Sequence, residues 1–172
     1  MTARFPDGTE PFTAAVITMS DKGSKGERAD ESGPAMKVRL KAAGFDVVEA
    51  LLLPDEKGLL KRELVRLSDQ RQVDLILTSG GTGFSVRDTT PEATLEVMTR
   101  NVPGIAEAIR AESMKYTKRA MLSRGVSVLR NKTLIINLPG SPKAVRESME
   151  IVLESVQHGL GILRGSESEC AR

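Results

Sequence analysis

The segment Ser79-Gly80-Gly81-Thr82-Gly83 carries the strongest chemical signal in this chain. Glycine lets a backbone turn sharply and come close to a ligand. Successive N–H groups in such a turn form a concave anion site, and Ser79 and Thr82 add hydroxyls. A tight turn with no ligand is the plain alternative, but it requires fewer glycines. The spacing fits neither of two well-known phosphate signatures. A dinucleotide fingerprint would need glycine where Val86 stands, and no Gly-Lys-Ser/Thr triplet ends a phosphate loop here. A little further on, Arg87-Asp88 precedes Thr89-Thr90-Pro91, which reads as a helix start. Asp88 is either a carboxylate complementing a helix N-terminus, worth about 0.5 kcal/mol, or an Mg²⁺ ligand beside bound phosphate. Arg87 suits a phosphate or a surface carboxylate.

Two more carboxylates follow apolar runs: Asp21 after Ser20, and Asp55 after Pro54. Singly, each reads as turn chemistry. Together with Asp88 they are hard oxygen donors suited to Mg²⁺. Leu138-Pro139-Gly140-Ser141-Pro142-Lys143 reads as a strand, turn and helix junction, with Ser141 as N-cap and Pro142 as the first helical residue. Such a point is a ready anion site, and Lys143 adds positive charge. A well-capped helix explains the same residues equally well. His158 and Cys170 are the lone residues of their types. No Ser-His-Asp or Cys-His nucleophile and no zinc site can therefore be assembled. Backbone nests, hydroxyls, cations and carboxylates remain, and these are the parts that phosphoryl or nucleotidyl transfer uses.

These groups need a scaffold that gathers them. Apolar runs at Ala14–Met19, Phe45–Leu53 and Val73–Thr78 read as strands. Between them lie a charged loop after Ser20, a helix from about Pro34 to Ala43 stopped by Gly44, and a helix with Leu60, Leu64 and Leu67 on one face. Thr89 and Glu92 have the spacing of a capping box ahead of the next helix. Another follows Pro103-Gly104, carrying Ile105 and Ile109. Val126–Leu129 and Thr133–Asn137 are two β-type runs, paired either as a small hairpin or in parallel. The last helix turns Val145, Met149, Val152 and Val156 inward. The alternation gives an α/β fold, a three-layer αβα domain with a mainly parallel sheet. Such sheets bind ligands beyond the carboxyl ends of their strands. The expected organisation is a loose tail over 1–12, one domain over 13–160 and a second tail over 161–172.

Composition narrows the partners. The chain has 172 residues, 40% of them hydrophobic and 3% aromatic, with a net charge of +2. The core must be aliphatic. Scarce aromatics argue against stacking on single-stranded nucleic acid, and near-neutral charge makes no demand for a polyanion. No segment offers the ~20 apolar residues of a membrane helix, and the first residues lack a signal-peptide run. A cytoplasmic protein that binds neither nucleic acid nor membrane is expected.

TSGGTGFSVRDTTPEAT (78–94), PGIAEAIR (103–110) and LIINLPGSPKAV (134–145) together resemble the Mog/MoaB-type molybdopterin-binding family. Its members include the molybdopterin adenylyltransferases and the G domain of gephyrin. ITMSDKGSKGERADESGP (17–34) is similar to the family's first strand and loop. The resemblance spans about residues 13–160. It implies Mg²⁺-dependent transfer of AMP from ATP to the phosphate of molybdopterin, with release of pyrophosphate. It further implies a homotrimer and hand-over of the product to a molybdate-insertion enzyme. By position, Asp55 and Asp88 match the catalytic and Mg²⁺-linked acids. Ser79, Gly80, Gly81, Thr82 and Gly83 match the nucleotide and phosphate loop. Ser20, Asp21, Ser141 and Lys143 fall to molybdopterin. Glu107 lies in a recurring family motif. Many members carry Pro where this chain has Val86, so the loop lacks one fixed φ. A molybdopterin-binding protein without catalysis is the competing expectation.

Overall fold

The computed structural model describes residues 10–165. Cys170 and most of both expected tails lie outside that range. One six-stranded sheet organises the chain in the order β2-β1-β3-β6-β5-β4. Its strands are β1 (Thr13–Met19), β2 (Asp46–Leu53), β3 (Leu75–Ser79), β4 (Arg100–Asn101), β5 (Ser127–Arg130) and β6 (Thr133–Leu138). The pairs β1 with β2, β1 with β3 and β3 with β6 are parallel. β5 runs antiparallel to β6, and β4 antiparallel to β5. The hairpin alternative is therefore the one formed. Asn131 takes φ +52° in its turn, a conformation asparagine tolerates better than most residues. The two-residue edge strand β4 carries no pattern that a sequence reading could find.

β1, β3 and β6 have apolar middles and are buried almost end to end, because both faces of the sheet are covered. Successive side chains point to opposite faces. Ala14 and Val16 join one core, with Met36 and Leu40 of α2 (Ser32–Ala42), Ile109 of α5 (Pro103–Ser113) and Val145, Met149, Val152 and Val156 of α6 (Pro142–Arg164). Ala15, Ile17 and Met19 join the other, with Leu60 and Leu64 of α3 (Lys57–Val65) and Ala93 and Val97 of α4 (Thr90–Val97). The result is the three-layer α/β arrangement. Each fully buried leucine contributes about 1.5–3 kcal/mol of apolar transfer.

Several local expectations are corrected. The segment after β1 is not wholly loop: Asp21–Ser24 forms one helical turn (α1), capped by Ser20 Oγ accepting from the Gly23 N–H at 2.9 Å. α3 widens into a π-turn at Arg66–Gln70, which keeps Leu67 buried. The capping box at α4 does not form, since Thr89 makes no side-chain cap and Glu92 pairs with Arg124 instead. α6 continues to Arg164, past residue 160, and ends on Gly165 in the left-handed region at φ +77°.

The parallel strands β2, β1, β3 and β6 all end at one edge, at Leu53, Met19, Ser79 and Leu138. The chemically interesting turns therefore leave the sheet on the same rim.

Candidate active site

A cleft of about 670 Å³ opens on that rim. Thr18, Met19 and Ser20 from the end of β1 form its floor, with Asp55 beyond β2 and Gly81 beyond β3. Gly140, Ser141 and Pro142 enter from the start of α6, Asp88 from ahead of α4, and Arg28 to Ser32 from the approach to α2.

The glycine turn is shaped for close approach. Gly80 has φ +95°, and a Cβ there would stand 2.4 Å from the Met19 carbonyl oxygen. Gly81 has φ +66°, and its Cβ would stand 2.3 Å from Thr90 Oγ1 and 3.3 Å from Asp55 Oδ1. No side chain fits at either position, so bare backbone faces the Asp55 carboxylate. Thr90 locks the turn by donating its N–H to the Gly81 carbonyl at 3.1 Å. At Gly83 a Cβ would come within 2.9 Å of Asp88 Oδ2. The same turn thus runs past both carboxylates.

Asp21 and Asp55 bracket one another. The Asp21 N–H donates to Asp55 Oδ2 at 3.0 Å, and the Asp55 N–H donates to Asp21 Oδ1 at 2.9 Å. Arg87 adds a fork to Asp21, with Nε to Oδ2 at 3.0 Å and Nη2 to Oδ1 at 2.7 Å. The bonds from Arg87 and the Asp55 N–H hold the Asp21 carboxyl down at about 2. Asp55 moves the other way. Burial pushes its carboxyl up, and the charges of Asp21 and Asp88 push in the same direction against the Asp21 N–H. A partly buried carboxylate facing a second acid favours a cation between them.

Anion-binding groups meet these acids. Ser141 Oγ caps α6 by accepting from the Ala144 N–H at 3.1 Å, and the α6 N-terminus borders the cleft. Ser32 Oγ donates to the Gly140 carbonyl at 2.9 Å, tying the start of α2 to the same turn. Both helix dipoles place partial positive charge at the cleft. Thr18 Oγ1 is buried in the floor with no hydrogen-bond partner among the described residues. Helix N-termini, bare amides and paired carboxylates in one cleft fit a phosphate chain carrying a divalent cation.

A second, more apolar recess of about 280 Å³ lies across the wall. It is lined by Thr82, Gly83, Ile109, Arg110, Leu122 and Pro139, among others. Adjacent residues of the same two turns, Gly81 with Thr82 and Gly140 with Pro139, face the two recesses.

The structure gathers Ser20, Asp55, Gly81, Asp88 and Ser141 into the cleft. Asp21 stands behind it, engaged by Arg87 and the Asp55 backbone. Ser79 is fully buried and donates its hydroxyl to the Pro139 carbonyl at 2.8 Å, while Gly80 packs on Met19. Thr82 and Gly83 line the second recess. Lys143 points along α6 toward Glu147 at 3.9 Å, largely exposed. Of the residues outside the site expectations, Arg28, Asp30 and Ser32 line the cleft. Arg124 grips the glycine turn by donating Nε to the Gly83 carbonyl at 2.8 Å. Nothing local marked Arg124, because its partners lie far away in sequence.

A covered, mostly parallel sheet with a polar cleft at its carboxyl rim defines a three-layer α/β domain with its candidate site at the strand ends. The family model described as a probable molybdopterin binding domain matches residues 15–158. The molybdopterin adenylyltransferase of Helicobacter pylori strain 26695 is 40% identical over 153 residues, covering 88% of this chain and 87% of its own. That of Escherichia coli K12 is 40% identical over 152 residues, covering 84% of this chain and 77% of its own. Among solved structures, the molybdopterin biosynthesis enzyme MoaB of Thermus thermophilus superposes with TM-score 0.85 at 47% identity, covering 90% of this chain and 97% of that one. The chain belongs to the Mog/MoaB-type molybdopterin-binding family of molybdenum cofactor biosynthesis.

Proposed function

We propose that this chain is a molybdopterin adenylyltransferase: it transfers AMP from ATP to the terminal phosphate of molybdopterin and releases pyrophosphate. The carrying observation is the convergence of the bare Gly81 backbone, Asp55 and Asp88 on one cleft bordered by the α2 and α6 N-termini. The names of the curated relatives support the same activity.

In the reaction a terminal phosphate oxygen of molybdopterin attacks the α-phosphorus of ATP. A new P–O bond forms as the bond from the α-phosphorus to the bridging oxygen breaks, and the pair of electrons leaves with pyrophosphate. The amides beyond Gly80 and the N-terminus of α6 hold the phosphates in line for attack, which is where such a site gains most of its rate. Arg28 offers a cation at the cleft to the departing charge. The second recess takes the planar ring of one substrate, so that two substrates meet at the wall of glycine and Leu-Pro-Gly turns.

Mg²⁺ belongs to this reading. Among the described residues no group of three or more His, Cys, Asp or Glu could hold a metal. Asp55 and Asp88 fit Mg²⁺ nonetheless, because this ion takes one or two carboxylates and completes its shell with water and substrate phosphates. When bound there it neutralises charge on the phosphates. Asp21 orders Asp55 through the reciprocal bracket, Ser20 and Ser141 complete the phosphate side, and Lys143, outside the cleft lining, adds only longer-range positive charge for molybdopterin. Assembly as a homotrimer and hand-over to a molybdate-insertion enzyme are further parts of the proposal. Exposed Met114, Tyr116, Met121 and Leu122 offer an apolar face near the second recess.

Incubation with ATP, Mg²⁺ and molybdopterin tests the activity. Pyrophosphate should appear only when all three are present, in step with adenylylated molybdopterin. Tight molybdopterin binding with no pyrophosphate would instead assign the chain to binding alone.

A further inference from the structure

The loop from Gly83 to Asp88 has almost nothing to pack against. Phe84 is 71% exposed and Val86 is 96% exposed. Inside it the Ser85 N–H donates to Asp88 Oδ2 at 2.9 Å and the Asp88 N–H to the Ser85 carbonyl at 2.9 Å, and one side chain reaches outward, the Arg87 fork to Asp21. Arg87 ties the middle of this segment, and its two ends need a hold of their own to keep the Asp88 carboxylate in place.

Both ends of the loop are gripped by one side chain. Arg124 donates Nε to the Gly83 carbonyl at 2.8 Å and Nη2 to the Asp88 carbonyl at 2.6 Å, while Nη1 pairs with Glu92 in α4. Its own N–H donates to the Thr82 carbonyl at 2.9 Å. The guanidinium thus bridges the entry and exit of the loop and anchors both to the next helix. Arg124 is itself braced, because Arg110 Nη1 of α5 donates to the Gly125 carbonyl at 2.7 Å. It lines neither recess, so it reaches substrate only through what it holds. A rigid planar fork presents its N–H groups to two carbonyls at a fixed separation, whereas an ammonium is a point charge on a flexible stem with no such fixed geometry.

We propose that Arg124 is the positioning residue for Asp88: its fork clamps the Gly83 and Asp88 carbonyls and so fixes the Asp88 carboxylate at the cleft. The proposal rests on the adenylyltransferase reading for its kinetic arm, but not for its structural arm.

The test compares Arg124→Lys and Glu92→Gln with wild type in the full chain, by steady-state kinetics and by amide hydrogen exchange. Arg124→Lys keeps the charge and loses the double grip. It should lower kcat at least about tenfold while KM for ATP and for molybdopterin stays within about threefold. Exchange should rise at residues 83–88 and remain unchanged in β1, β3 and β6. Glu92→Gln leaves both carbonyl clamps in place and should keep kcat within about twofold of wild type. Unchanged exchange at 83–88 in Arg124→Lys overturns the proposal, whether or not wild type turns over. Equal kinetic losses in the two variants also overturn it, by assigning the effect to the anchoring of α4. If wild type shows no molybdopterin-dependent turnover, the functional reading fails and the exchange result alone decides the role of Arg124.

Discussion

Among single residues, the acids of the rim divide the work by their surroundings. Asp88 is held on an exposed loop at the cleft. Asp55 is half-buried with its charge disfavoured, and Asp21 is fixed as an anion by Arg87. Asp88→Ala is expected to abolish adenylylation while molybdopterin still binds, measured by turnover and by binding in parallel. Normal turnover would remove Asp88 from the chemistry. The bracket gives a pH prediction with a definite sign. A carboxyl lowered in the folded state adds stability above its unfolded pKa and loses it as pH falls through the folded value. Asp21 should therefore support the fold fully at neutral pH, and lose that contribution between about 4 and about 2. Carbon-detected NMR titration should put its midpoint near 2 in wild type and higher in Arg87→Ala, where the Asp55 N–H still lowers it. An unmoved midpoint would show that Arg87 is not its partner. Asp55 has the opposite sign. A raised carboxyl opposes folding once ionised, so Asp55→Asn should gain thermal stability over wild type as pH rises from about 3 to about 7 while losing activity. A gain that shrinks over that range would contradict the assignment.

At the level of elements, the site is built on a turn whose Gly80 and Gly81 leave no room for a side chain. Gly80→Ala would force a side chain onto the Met19 carbonyl in a left-handed conformation. It should cost about 1–3 kcal/mol from the backbone alone, seen as a lower denaturation midpoint. An alanine variant of wild-type stability would mean that the turn is not built as described. Much of this scaffold was legible beforehand. Continuous apolar runs mark β1, β3 and β6 because burial on both faces leaves no alternation. Proline and serine mark the start of α6 because capping is a local matter. Long-range pairings were not legible. Glu92 has the spacing of a capping residue, yet it turns to Arg124, 32 residues away. Asp21 and Asp55, 34 residues apart, hold each other through backbone amides that no side-chain pattern reveals. The π-turn after α3 and the short edge strand β4 arise from packing, which adds no periodic signal.

Taken as a molecule, the domain places every exit turn of its parallel strands on one edge. Its two recesses share one wall, and that wall is the glycine turn beside the Leu-Pro-Gly turn. None of the helices among the described residues is long and apolar enough to cross a membrane. The proposed homotrimer should appear as a single species of three chains in sedimentation velocity, and a monomer across the whole concentration range would count against it. The proposed chemistry of this rim is the joining of a nucleotide to a phosphate. It is tested most directly by following label from ATP that carries radioactive phosphorus at the α-position only. Label should move to molybdopterin in an Mg²⁺-dependent reaction, matched by pyrophosphate, and Asp88→Ala should stop the transfer without releasing molybdopterin. Label that stays in ATP, or that leaves as free AMP with molybdopterin unmodified, would contradict it.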